Sequence, residues 1–254
     1  MDFSESSESS QTSSSEEEDA YTILVMQVPQ ILRRVFIGDK TDKLVEFLLL
    51  KYQKKELVTK AEMLHIVDHD DHEQFPLLFK EVRECMCLGF GIDVRKRNSP
   101  GDTYNIVPLL GLTYTGIVGD DQIIPKIDLL IVILTVIFVN GSYASTEEIK
   151  EVVRTRQMLP KRHFPTGDRW KFITEDLVQE GYLEYRQVPS SYPARYEFLW
   201  GPRTHAETNK MKVLEHLCKV NKMDPRSYPR LYDQALKEDL ESAMNELEAI
   251  EDEV

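Results

Sequence analysis

The side chains best suited to chemistry lie in HIVDHDDH, where His65 and His69 stand four apart, His72 follows, and Asp68, Asp70 and Asp71 offer oxygen ligands. On a helix that spacing puts His65 and His69 on one face, the arrangement in which two imidazoles grip a zinc ion. The HExxH signature of a zinc hydrolase is absent, and a stretch rich in His and Asp is more often a solvated helix end, so neither a metal nor any other cofactor is expected. Cys85 and Cys87 are two apart, a spacing that turns their sulfurs to different sides of a helix, and they read as buried thiols. There is no GxSxG elbow, no GxxxxGK[ST] phosphate loop and no GxGxxG, since Gly89 and Gly91 only punctuate a helix-to-strand junction. The chain reads as a non-enzyme. A metal-dependent hydrolase built on the three histidines is the contrary reading.

The elements that position these residues follow from hydrophobic period and turn chemistry. Over residues 39–110, TDKLVEFLLLKYQ predicts a helix with Thr41 as cap, TKAEMLHIV a second and FPLLFKEVRECMCLGF a third. IDVRKR, the turn NSPGD and TYNIVPLL then predict a hairpin. Residues 111–124 read as a linker, after which the same order recurs over residues 125–236. Ser145 caps TEEIKEVVRTRQ, with Glu148 completing a capping box. A helix over residues 169–180 feeds a hairpin in which Leu183 and Tyr185, then Tyr196, Phe198 and Trp200, alternate with polar neighbours. Helices followed by a hairpin, twice, predict a mainly α fold with small β-hairpins (α+β), built as two winged-helix units in tandem. A helix over residues 205–221 follows.

Charge is concentrated at the ends. Residues 1–20 hold seven acidic and no basic side chains and residues 237–254 eight acidic and one basic, which leaves 29 acidic and 30 basic residues between them. Residues 1–20, rich in Ser and acid, are expected to be disordered, residues 21–38 form an apolar segment whose packing the sequence leaves open, and residues 237–254 form an acidic tail. A nearly neutral body with acidic ends disfavours nucleic acid, which needs clustered Lys and Arg on the docking face. The third helix of each unit mixes acids with bases, and Arg95-Lys96-Arg97 reads as a solvated wing. A nuclear DNA-binding or transcriptional regulator is therefore the alternative function. Three cysteines give no disulfide framework, and with no signal-peptide apolar region after the acidic start an intracellular location, cytoplasmic or nuclear, is expected. The apolar run LLIVILTVIFV (residues 129–139) is shorter than the roughly 17 to 25 residues a bilayer requires, so no membrane partner is expected; a buried helix is favoured and a buried strand stays open.

In the helix over Leu44–Tyr52, Leu44, Val45, Leu48, Leu49 and Tyr52 share one arc while Phe47 and Leu50 project beside Lys43 and Glu46. From geometry alone, packing of this second apolar face within the chain is favoured over a partner. The phrases LVEFLLLKYQKKELVTKAEML, GLTYTGIVGD, LLIVIL, DLVQEGYLEYRQVP and YEFLWGPRTHAET stand in an order that closely resembles the MAGE homology domain of the melanoma-antigen family, in its MAGE-A and MAGE-B branches, over residues 40–236. Leu57 departs from the resemblance, standing where relatives usually carry Pro. The resemblance implies a non-enzymatic adaptor that binds a RING-type E3 ubiquitin ligase and modulates its activity or its choice of substrate protein or peptide. It also implies that a dileucine in the first helix makes the contact, which places Phe47, Leu48, Leu49 and Leu50 at the interface. The crevice between the units is a second expected site, for a peptide, with Tyr114, Tyr182 and Trp200 as its lining.

Overall fold

Two short strands that residue patterning does not reveal organise the architecture. The computed structural model describes residues 15–67, 73–98, 101–114, 127–156 and 169–252. A helix over residues 15–37 (α1), with a π turn at Ile23–Gln27, is followed by α2 (Asp39–Gln53), β1 (Val58–Thr59), α3 (Lys60–Ile66), α4 (Phe75–Phe90), β2 (Ile92–Lys96) and β3 (Thr103–Pro108). The second set is α5 (Ile127–Val139), β4 (Ala144–Ser145), α6 (Thr146–Arg156), a helix over residues 169–179 (α7), β5 (Leu183–Gln187) and β6 (Tyr196–Trp200). Then come α8 (Pro202–Glu207), α9 (Lys210–Asn221) and α10 (Pro229–Asp252). The sheet orders β1-β3-β2 and β4-β6-β5, all antiparallel, are the same in the two sets. Helix, strand, helix, helix, strand, strand is the winged-helix order, so the fold is α+β with two winged-helix units in tandem.

Both units turn from first strand to second helix by the same device. Thr59 Oγ1 accepts from Glu62 N at 3.1 Å while the Glu62 carboxylate accepts from Thr59 N at 2.8 Å. Ser145 and Glu148 repeat it at 3.3 and 2.7 Å. Each box satisfies helix-end N–H groups that would otherwise lack partners. α4 ends at Gly91, whose φ of 62° is left-handed and suits a residue without Cβ.

Three expectations are corrected. Residues 15–20, expected to be disordered, are helical. Glu16 is 6% exposed and its carboxylate accepts from the N–H groups of Arg230 and Leu231 at 3.1 and 3.2 Å, which caps α10. Asp19 accepts from Tyr228 Oη at 3.0 Å. Residues 1–14 lie outside the described residues. Thr41 does not cap α2, which starts at Asp39; its hydroxyl instead donates to the carbonyls of Val35 and Gly38, tying α1 to α2. The helix expected over residues 205–221 is broken at Thr208, and Asn209 caps the second piece by accepting from Lys212 N at 2.9 Å.

The apolar segment 21–38 now has a packing. α1 lies along α4 and reaches α6 and α9, burying Ile23, Val28, Leu32 and Val35. A Cβ at Gly89 would collide with the Leu32 side chain, so this helical glycine makes room for Leu32 of α1 against α4. α5 is buried on every side, with each residue of Ile127–Val139 in the core, as a helix apolar all round must be. No described helix is long and apolar enough to cross a membrane.

Candidate partner-binding site

α2 divides its apolar residues between two faces. Leu44, Val45, Leu48 and Leu49 are fully buried, and the helix packs on α1, α3, α4 and β3. Phe47 and Leu50 are half-buried and lie on the outer side with Lys43 and Glu46. An interface role for Leu48 and Leu49 is thus corrected: their side chains touch their own core and no partner can reach them in this structure. Lys51 stands over the Phe47 ring, 5.6 Å from its centroid, and pairs with Glu56 and Glu62, both at 2.9 Å. The hydrogen bonds that the Lys51 ammonium donates to Glu56 and then to Glu62 hold it above its ordinary pKa.

The end of α2 opens onto a groove of about 510 Å³ lined by Tyr52, Leu57, Ile106, Pro108 and Leu112, with Lys51, Lys55 and Glu56 along its rim. Two features of the chain create it. β1 pairs only with Thr103 and Tyr104, so β3 runs on through residues 105–108 without a neighbour from β1. The α2–β1 turn is a Schellman motif, Lys55 N donating to Tyr52 O and Glu56 N to Lys51 O, and it carries Leu57 outward, 46% exposed. Lys55 takes the left-handed position of that motif at φ 55°, where glycine is the usual residue. Leu57, Ile106, Pro108 and Leu112 escaped sequence reasoning. An apolar residue between KKE and the β1 dipeptide was the available signal for Leu57.

The aromatics expected to line a crevice between the units form a junction of another kind. Tyr182 is fully buried and Trp200 is 5% exposed, so the lining role is corrected for both. The Trp200 indole donates to Leu134 O at 2.9 Å. Tyr114 is half-buried and packs edge-on against Tyr182, ring centroids 5.6 Å apart. Glu207 is the polar hub: its carboxylate accepts from Thr113 N and Tyr182 Oη at 2.8 Å and from Arg203 Nε at 2.9 Å, and it also accepts from the Thr113 hydroxyl. Burial pushes that carboxyl up, but the bonds from Thr113, Arg203 and Tyr182 outweigh it and hold it below the ordinary carboxylate value. A Cβ on Gly111 would lie 2.5 Å from Glu207 O, so the chain leaving β3 is seated tightly on the second unit.

Reactive groups do not gather. His65 is exposed at the end of α3, His69 and His72 lie outside the described residues, and the described residues contain no cluster of three potential metal ligands. Cys85 and Cys218 are buried, whereas Cys87, also expected to be buried, is only half-buried; burial raises all three thiols, Cys218 to about 11. Two of the three wing cations are paired within the chain: Arg95 shares Asp93 with Arg83 of α4, at 2.8 and 2.9 Å, and Lys96 pairs with Asp102 at 2.6 Å. Asp93 is raised by burial and lowered further by the two guanidinium groups, ending below its ordinary value.

A family model described as the MAGE homology domain matches residues 119–211. The chain is 46% identical over 242 residues to melanoma-associated antigen 10 of Homo sapiens, covering 95% of this chain and 66% of that protein. It is 46% identical over 228 residues to melanoma-associated antigen 8 of Homo sapiens, covering 89% of this chain and 72% of that protein. The chain thus spans about two thirds of the length of these relatives. Among solved structures, a chain of an Nse1-Nse3-Nse4 complex is 32% identical with a TM-score of 0.41, over 78% of this chain and 96% of that one.

Proposed function

We propose that this chain, which belongs to the MAGE family, is a non-enzymatic adaptor that binds a RING-type E3 ubiquitin ligase through the outer face of α2 and the groove beside it. Ubiquitin transfer belongs to the ligase and its conjugating enzyme. The adaptor supplies proximity, raising the effective concentration of a substrate protein or peptide near the charged conjugating enzyme.

The observation that carries this reading is the apolar groove at the end of α2, walled by Tyr52, Leu57, Ile106 and Leu112, on the helix that also keeps Phe47 and Leu50 half-buried on its outer face. A concave apolar surface with a charged rim is what an interface centre uses, where a few side chains carry most of the energy. Two further observations favour protein over nucleic acid. Two of the three wing cations, Arg95 and Lys96, pair with Asp93 and Asp102, and the body between the acidic ends is nearly neutral, with 30 basic and 29 acidic residues. The buried, proton-holding thiols suit a reducing compartment, cytoplasmic or nuclear.

The test is affinity purification from cells of the wild type and the double variant Phe47→Ala, Leu50→Ala. Because both side chains are half-buried, we expect the variant to lose less than about 2 kcal/mol of stability while a RING protein present with the wild type disappears from the purified complex. A RING protein retained at wild-type level contradicts the reading.

A further inference from the structure

The groove at the end of α2 is walled on one side by a strand edge whose hydrogen bonds are incomplete. Along β3 successive residues turn their N–H and C=O groups to alternate sides. Thr103 O accepts from Arg97 N at 2.9 Å and Leu109 N donates to Gly91 O at 2.8 Å, so the odd-numbered residues face β2. Asp102 O accepts from Lys60 N at 2.8 Å and Tyr104 stands opposite Val58, so the even-numbered ones face β1. β1 reaches no farther than Tyr104, because the Schellman turn carries the chain before Val58 away from the edge. The N–H and C=O of Ile106 and the C=O of Pro108 are thereby aimed into the groove with no strand partner among the described residues. Pro108 suits such an edge, since it has no N–H to leave unpaired. In the second unit β4 ends opposite Phe198, and the equivalent position two residues on is Trp200, which is buried.

Unpaired backbone groups select the occupant. A helix satisfies its N–H and C=O groups internally and would leave those of Ile106 unmet. A second copy carries the same edge at the side of the same groove, behind the end of α2 and the Leu57 turn, so two such edges cannot meet. An extended segment can enter, exchange an N–H and a C=O with Ile106 and donate a further N–H to Pro108. Its side chain opposite Ile106 then points to the same sheet face as Ile106, which packs on the core together with Tyr52. On the rim, Lys51 and Glu56 pair with each other while Lys55 has no ion-pair partner among the described residues. Resting on the reading of this groove as a partner site, we propose that an extended segment of a partner protein, apolar opposite Ile106 and acidic beside Lys55, adds to β3 as a strand.

The experiment titrates the full chain with synthetic heptapeptides of alternating Val and Thr, with Asp at both ends and Val, Leu, Ile or Phe at the centre, while NMR follows amide hydrogen exchange. In the free chain the Ile106 amide should exchange at least about tenfold faster than those of Asn105 and Val107, which β2 holds. A bound peptide is expected to slow Ile106 by about tenfold or more and to leave Val107 unchanged. Methylating the peptide's backbone nitrogens one at a time should weaken binding by about tenfold or more at alternate positions only, because every second N–H of a strand faces its neighbour. Slow exchange of Ile106 in the free chain, failure of all four peptides to bind, or binding that leaves Ile106 fast overturns the proposal. So does a methylation profile without the two-residue period, or a dimer of the chain alone that protects Ile106. A ligase helix could still occupy the groove in each of those cases, so ligase capture would stand; a RING protein retained by the Phe47→Ala, Leu50→Ala variant would instead overturn that reading and leave the peptide result intact.

Discussion

The lead helices α2 and α5 hold the same place in two units of the same topology, yet they meet opposite fates. α5 is apolar on every side and is covered by α4, α6, α9 and β6, so nothing of it faces outward. α2 buries Leu44, Val45, Leu48 and Leu49 and leaves Phe47 and Leu50 half-covered beside a groove. The winged-helix order therefore does not by itself create a binding surface. β1 and β4 both stop after two residues, so the difference lies in what covers the lead helix: α5 is enclosed by α4, α6, α9 and β6, whereas α2 packs on α1, α3, α4 and β3 and keeps Phe47 and Leu50 only half-buried.

The largest effect that sharpens this contrast comes from the residues that look alike in both helices. Leu49→Ala in α2 and Ile133→Ala in α5 each remove a fully buried side chain, and each should cost about 2 to 5 kcal/mol in denaturant unfolding. A cost below about 1 kcal/mol for Leu49→Ala would show that α2 has no true inner face.

Acid should act on the surroundings of α5. His216 on α9 lines a small cavity with Asp128, Ile131 and Thr135 of that helix, its Nδ1 has no hydrogen-bond partner, and burial, then Lys219, pushes its pKa down to about 4. The unfolded chain binds a proton near pH 6.5 and the folded one does not, so stability is intact above that pH and falls as pH drops from about 6.5 to about 4. The loss is on the order of 3 kcal/mol. His216→Leu should flatten this part of the pH profile of the unfolding midpoint; an unchanged slope would assign it elsewhere. A smaller effect is expected at the groove's wall, where Lys55→Gly relieves the left-handed strain of the Schellman turn and should raise stability by about 1 kcal/mol, measured by chemical denaturation.

What the sequence revealed and what it withheld divide along the range of the interactions. Ser145 and Glu148 announce their capping box within four residues, and alternation from Tyr196 to Trp200 announces β6. The arc arithmetic on α2 separates Leu48 and Leu49 from Leu50, whereas the expected dileucine contact overlapped the buried pair. β1 and β4, two residues each, are too short to show a period. Glu16 looked like one more acid in a disordered run because its partners, the N–H groups of Arg230 and Leu231, lie more than two hundred residues away. Glu207 is the same kind of case: nothing local says that it receives Thr113, Tyr182 and Arg203 together.

Site-specific photo-crosslinking in cells tests the central claim most directly. A crosslinker placed at Leu57, exposed in the groove, is compared with one at Tyr192, fully exposed in the β5–β6 turn of the second unit. The account predicts that a RING protein is crosslinked from position 57 and not from position 192; crosslinks to it from 192 alone, or equally from both, would contradict the assignment of the binding surface to the first unit.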